Sequence, residues 1–234
     1  MKLAVIPARG GSKRIKGKNV REFAGKPIIA RSIELAIQSG LFDRVIVSTD
    51  SESIADIAKS YGAEVPFLRS KELADDFATT NEVVKDAIEK LKEQGHLFQY
   101  VCCIYATAPL LQESFLRKGL TLLEQSGADF VFSVCTYDFP ALRALEMLNG
   151  NVLRARFPDQ IYRRSQDLDE LVHDAGQFYW GLAESFVQGI DMFASTARGL
   201  EIPRIFVQDI DSEEDWENAE IMFEALTHRG LLEH

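Results

Sequence analysis

Short apolar runs of strand length alternate along this chain with segments whose apolar residues recur every three or four positions, and few folds accept that order. Lys2–Ile6, Arg44–Ser48, Tyr100–Tyr105 and Asp129–Cys135 are nearly continuous apolar runs, as strands buried on both faces require. Between them, Pro27 to Gly40 carries Ile29, Ile33 and Ile37 at helical spacing, and Thr79–Gln94 puts Val83, Val84, Ala87, Ile88 and Leu91 on one face. Thr79 with Glu82 forms a possible capping box. Ser51–Tyr61, Gln112–Gln125 and Glu213–Thr227 read as further helices, and Ala63–Leu68, Gln177–Gly181 and Ile202–Val207 as further strands. The pattern predicts an α/β fold whose mainly parallel sheet carries helices on both faces.

With 234 residues, no internal repeat and no Gly/Ser/Pro-rich linker, the chain reads as a single domain, residues 1–234. The rhythm fails only between about 137 and 176, where Phe139, Pro140, Phe157 and Pro158 mix with Arg163, Arg164 and Asp167, and this stretch reads as an insertion or arm. A net charge of −10 gives no global pull toward nucleic acid or an anionic membrane surface, so any phosphate site must be local. No apolar run is long enough to span a bilayer, and Pro7 interrupts the first run too early for a signal peptide. Cys102, Cys103 and Cys135 lack metal spacing and read as buried, reduced thiols of a cytoplasmic protein.

The richest segment follows the first strand, where the carboxyl end of a parallel strand opens onto a binding crevice. In Pro7–Asn19, Gly10 and Gly11 admit close backbone approach, Ser12 can donate, and Arg9, Lys13, Arg14, Lys16 and Lys18 place five cations in an acidic chain. That combination suits a triphosphate, with a solvated basic loop as the plainer reading. It matches neither common phosphate motif. Ile15 and Lys16 stand where a Walker loop continues, and Ser12 stands where a dinucleotide loop needs glycine.

A second constellation is Asp209-Ile-Asp211, whose carboxylates fall on one side of an extended segment and could face one Mg²⁺. Asp211 with Glu214 could instead cap the last helix. In Arg69–Thr80, Arg69 could read a base or sugar edge, while Thr79 is explained equally by capping. The adjacent Arg163 and Arg164 could hold a carboxylate, Gln177 could line a sugar pocket, and His173 reads more simply as a structural histidine. No Ser/His/Asp triad has supportable spacing.

Taken together, IPARGGSKRI, GKPIIARSIE, VIVSTD, PFLRS, DDFATT, RSQDL and HDAGQFYW resemble the acylneuraminate cytidylyltransferase family over nearly the whole chain, in particular its branch that activates pseudaminic acid. The resemblance implies a Rossmann-like nucleotide-diphospho-sugar transferase fold and a homodimer joined by the arm. It implies Mg²⁺-dependent transfer of CMP from CTP to a nonulosonic acid, with N-acetylneuraminic, legionaminic and 3-deoxy-octulosonic acids, or a non-catalytic nucleotide-binding module, as alternatives. Ala8, Arg9, Gly10, Gly11, Ser12, Lys18, Asn19, Arg69, Thr79 and Thr80 are then expected around the nucleotide. Arg163, Arg164, Gln166 and Gln177 are expected at the sugar, Asp209 and Asp211 at the metal, and Arg9, Lys18 and Asp211 in catalysis. Tyr105-Ala106-Thr107-Ala108-Pro109 departs from the Gln-Pro-Thr run of the relatives that activate sialic acid, so that glutamine contact has no counterpart here.

Overall fold

The computed structural model describes residues 1–75, 78–194 and 196–233. In chain order the elements are β1 (Lys2–Pro7), β2 (Glu22–Phe23), β3 (Lys26–Pro27), α1 (Ile28–Gln38), β4 (Arg44–Ser48), α2 (Glu52–Ser60), α3 (Thr80–Glu93) and β5 (Tyr100–Ile104). They continue as α4 (Glu113–Ser126), β6 (Phe130–Thr136), β7 (Leu145–Leu148), β8 (Val152–Ala155), β9 (Val172–Leu182), α5 (Ala183–Gln188), β10 (Arg198–Glu201) and α6 (Glu213–His228).

Six strands form one sheet in the order β10-β6-β9-β5-β1-β4. β1 lies parallel to β4 and β5, β10 parallel to β6, and β9 runs antiparallel between β5 and β6. Strand periodicity divides the core. Ala4 and Ile6 face Ile29, Ile33, Ile54 and Leu116 of α1, α2 and α4, whereas Leu3 and Val5 face Val84, Ile88, Leu91 and Phe186 of α3 and α5. The sheet is therefore mainly parallel and covered on both faces, as the alternation predicts.

A third, smaller apolar knot lies away from both layers. Ile15, from the middle of the basic loop, and Ile210, from between the two acids, are buried with Phe23, Ile28, Trp216 and Ala219. Burying a side chain of this size contributes roughly 1.5–3 kcal/mol, enough to fix where the two polar segments sit.

Two expected strands are absent, each because of a proline. Pro66 lacks an N–H, and Ala63–Leu68 keeps only one bridge, Ile46 to Glu64. Pro203 likewise ends pairing, so Ile202–Val207 becomes a 3₁₀ turn over Arg204–Phe206, and the edge strand is the less apolar Arg198–Glu201. The cap of α6 also moves by one residue. Ser212 and Asp215 form the capping box, which releases Asp211 from that role. The arm contains the antiparallel hairpin β7–β8, and its last residues, from Val172 on, already run as β9.

Candidate functional site

The glycine-bearing loop owes its shape to three anchors. The Ala8 N–H donates to the Ser48 carbonyl (2.9 Å), carrying the chain one residue past β1 alongside β4. The Gly10 N–H donates to Asp50 Oδ1 (2.8 Å), and a Cβ at Gly10 would come within 3.2 Å of the Ser51 Cβ, so a side chain there would crowd the start of α2. Asn19 Nδ2 donates to the Arg9 carbonyl (2.9 Å) and closes the loop on itself. Ile15 sinks into the third knot, so the loop's cations are left around a cleft.

That cleft, about 310 Å³, has Arg9, Ser12, Lys13, Arg14, Lys18 and Asn19 on its loop side, and Arg69, Thr80 and Tyr105 complete its lining. Ala8, Gly10 and Gly11 shape the loop without lining the cleft. Arg9 Nη1 donates to the Asp75 carbonyl (2.8 Å). Arg69 is 6% exposed, yet its Nε and Nη2 have no partner among the described residues. Burial holds its pKa below the usual arginine value, with Asp50 opposing that effect and Arg9 adding to it. Buried guanidinium donors without acceptors are rare, and these belong to a side chain that lines the cleft. Thr79 is the N-cap of α3 and its hydroxyl is engaged with Glu82, so it does not line the cleft; Thr80 does, with its Oγ1 3.1 Å from the Tyr105 hydroxyl. Asp76 and Phe77 of the DDFATT segment lie outside the described residues.

The acids adjoin this cleft. Arg14 Nη1 donates to Asp211 Oδ2 (2.7 Å), and Lys18 Nζ lies 3.4 Å from Asp211 Oδ1 and 2.5 Å from the Ile210 carbonyl. Asp209 and Asp211 line a second cleft of about 710 Å³ with Asp174, His173, Tyr137 and Arg204. Arg14 and Lys18 therefore join the two clefts through Asp211. Asp209 remains open to solvent, but the protein around it, and secondarily Asp211, pushes its pKa above the usual carboxylate range. Among the described residues no hydrogen bond reaches its carboxyl oxygens. Two crowded carboxylates of this kind fit a hard cation that completes its shell with phosphate oxygens and water. They do not form a complete metal cage, since no group of three acids, histidines or cysteines converges among the described residues.

The proposed sugar residues sit differently. Gln177 is 2% exposed and donates to the Phe206 carbonyl, so it lines neither cleft. Alternation along β9 sends its side chain inward. Arg164 is tied to Asp167 in a two-point ion pair (2.7 and 3.1 Å), and Arg163 donates to Gln160 and to the Asp167 carbonyl. Both stand on the exposed arm, away from the two clefts. Gln166 lines an arm cavity that adjoins the larger cleft, sharing Tyr137, Phe139 and Arg204 with it. Reading segments one at a time missed Asp50, Tyr105, Asp174 and Arg204. Asp50 and Tyr105 follow strand ends, where the crevice rule would have found them.

A family model described as cytidylyltransferase matches residues 3–227. The chain is 43% identical to "Pseudaminic acid cytidylyltransferase" of Campylobacter jejuni subsp. jejuni serotype O:2 over 222 residues, covering 94% of this chain and 95% of that protein. It is 33% identical to "CMP-N,N'-diacetyllegionaminic acid synthase" of Legionella pneumophila, covering 95% and 96%. Among solved structures, a CMP:2-keto-3-deoxy-manno-octonic acid synthetase complexed with CTP superposes with a TM-score of 0.71 at 15% identity, covering 96% of this chain and 98% of that one.

Proposed function

The chain belongs to the cytidylyltransferase family, and on that premise we propose that it transfers CMP from CTP to the anomeric hydroxyl of a nonulosonic acid, pseudaminic acid, and releases pyrophosphate. One observation carries the reading. Cations of the glycine-bearing loop and the acids that precede α6 meet at Asp211, so nucleotide phosphates and a metal can share one place. The names and the near-full overlap of the relatives support the sugar class.

In this reading CTP occupies the smaller cleft. Arg9, Lys13 and Lys18 neutralise its phosphates, and Ser12 and the loop backbone donate to them. The Arg69 donors, unpartnered among the described residues, take the acceptor edge of the base or ribose. Mg²⁺, held by Asp209 and Asp211, supplies further charge neutralisation at the phosphate oxygens when bound. The sugar acid occupies the larger cleft beyond Asp211, and its hydroxyl attacks the α-phosphorus in line with the departing pyrophosphate. The reaction requires positioning and charge compensation rather than a covalent enzyme intermediate. CTP as substrate accords with a cytoplasmic location, and among the described residues no helix is long and apolar enough to cross a membrane.

A panel of pseudaminic, N,N'-diacetyllegionaminic, N-acetylneuraminic and 3-deoxy-octulosonic acids with CTP tests the reaction and the substrate together. Pseudaminic acid is expected to give at least ten times the kcat/KM of the others, and absence of pyrophosphate release with every sugar rules the reading out.

We also propose that residues 1–234 act as one nucleotidyltransferase domain and that the arm, about 137–176, joins two copies. Met147, Val152, Leu153 and Tyr162 on the arm are 71%, 56%, 56% and 94% exposed, an apolar display suited to a partner surface. A second copy would also give Arg163, Arg164 and Gln166 a site to serve across the interface. Replacing Met147 and Leu153 together by Asp is expected to halve the mass measured by light scattering and to lower sugar turnover at least tenfold. A variant that keeps the wild-type mass removes the arm from the interface.

A further inference from the structure

Asp174 lines the larger cleft and has no ion pair among the described residues. Its position is set by a break in the sheet. Residues 174 and 179 are separated by an odd number of steps, so on a regular strand they would point to opposite faces. Opposite Phe132–Val134 the register of β9 against β6 shifts, with Phe132 paired to Tyr179 but Val134 to Asp174, and Gly176 takes φ +62° inside the bulge. The extra length turns Asp174 back toward Tyr179. The Tyr179 hydroxyl then donates to Asp174 Oδ2 (2.6 Å), and the Gly176 N–H donates to Oδ1 (2.8 Å).

Tyr179 is 3% exposed and packs its ring 5.3 Å from that of Tyr105 and 5.8 Å from that of Phe132. Burial raises its phenol far above the ordinary value, so it stays a donor throughout the physiological range. Tyr105 in turn meets Thr80 on the wall of the nucleotide cleft. A carboxylate in one cleft is thus braced by tyrosines that reach the other.

We propose that Asp174 recognises the acceptor sugar, accepting hydrogen bonds from its acylamino N–H or hydroxyl groups, and that Tyr179 is the residue that positions it. The inference rests on the nucleotide and sugar occupying the smaller and larger clefts. Asp174 does not join Asp209 and Asp211 in a metal-holding group. An ionised carboxylate offers acceptors only, so it selects N–H and O–H donors and repels the sugar's own carboxylate. That repulsion directs the acid end of the sugar toward Arg204, a cation of the same cleft that in the free protein pairs with Asp138 (3.0 Å) and that the sugar carboxylate would share.

Steady-state kinetics on the full-length enzyme with CTP and pseudaminic acid test this. Asp174→Ala is expected to raise the sugar KM about tenfold or more. Tyr179→Phe, which keeps the ring, is expected to raise it about fivefold. In both, the CTP KM stays within twofold and kcat within threefold of wild type. The double variant is expected to be no worse than Asp174→Ala, because the hydroxyl acts through the carboxylate. Unchanged sugar KM in both single variants, a fall in kcat alone, or equal rises in both KM values overturns the proposal while leaving the overall reaction standing. A wild-type enzyme that releases pyrophosphate with no sugar overturns both.

Discussion

Asp211→Asn is expected to lower kcat by about two to three orders of magnitude, the loss associated with several kcal/mol of charge stabilisation at a phosphoryl centre. Stability should change little. The pairs that Asp211 makes with Arg14 and Lys18 are partly solvated, with the Arg14 side chain 69% exposed and that of Asp211 37% exposed. Pairs of this kind typically contribute about 0–1 kcal/mol. The cap of α6 belongs to Ser212 and Asp215, so the helix start is untouched by the substitution. Pyrophosphate release and thermal unfolding of the same preparation separate the outcomes. Turnover within threefold of wild type would remove Asp211 from the chemistry, whereas a collapse of Tm would make it a structural residue.

Arg69→Met should move activity and stability in opposite directions. The free enzyme holds a guanidinium that is 6% exposed and has two nitrogens without partners among the described residues. An apolar side chain of similar length relieves that desolvation cost, as replacement of buried charges by well-packed apolar groups commonly does. Asp50 compensates part of the charge, so a net gain of about 1 kcal/mol is expected, or roughly 2–4 °C in Tm for a domain of this size. The CTP KM is expected to rise about thirtyfold or more, because the ligand's acceptors lose their charged donors. A lower Tm with an unchanged CTP KM would show that Arg69 braces the fold and does not touch the nucleotide.

The layered core was legible because burial on both faces leaves a continuous apolar record, as in Lys2–Pro7 and Phe130–Thr136. It misled where a proline interrupted such a record. Ala63–Leu68 and Ile202–Val207 have strand composition, but pairing requires N–H groups at fixed intervals, and Pro66 and Pro203 have none. The basic loop was visible because cations and glycines cluster after a strand. Its anchors, Asp50 and Ile15, were harder to weigh, since neither residue type is unusual in its setting. Thr79 caps α3 as its spacing from Glu82 predicts, but at α6 Asp211 and Ser212 are both good caps, and the box forms one residue later, between Ser212 and Asp215. The bulge that turns Asp174 toward Tyr179 depends on how β9 pairs with β6, a relation between distant segments that neither segment encodes alone.

The knot that seats Ile15 beside Ile210 and Trp216 links the start of the chain to its end. Arg14 and Asp211 are 197 positions apart, and the apolar residues that hold their segments together lie in α6 as well as in the first thirty residues. A ribosome making this protein therefore completes the whole sheet before the partner of the basic loop has left the exit tunnel. Products that stop before Ile210 lack both the acid that meets Arg14 and the apolar residues that seat the basic loop, so a chain truncated after β10 is expected to release no pyrophosphate from CTP and the sugar acid.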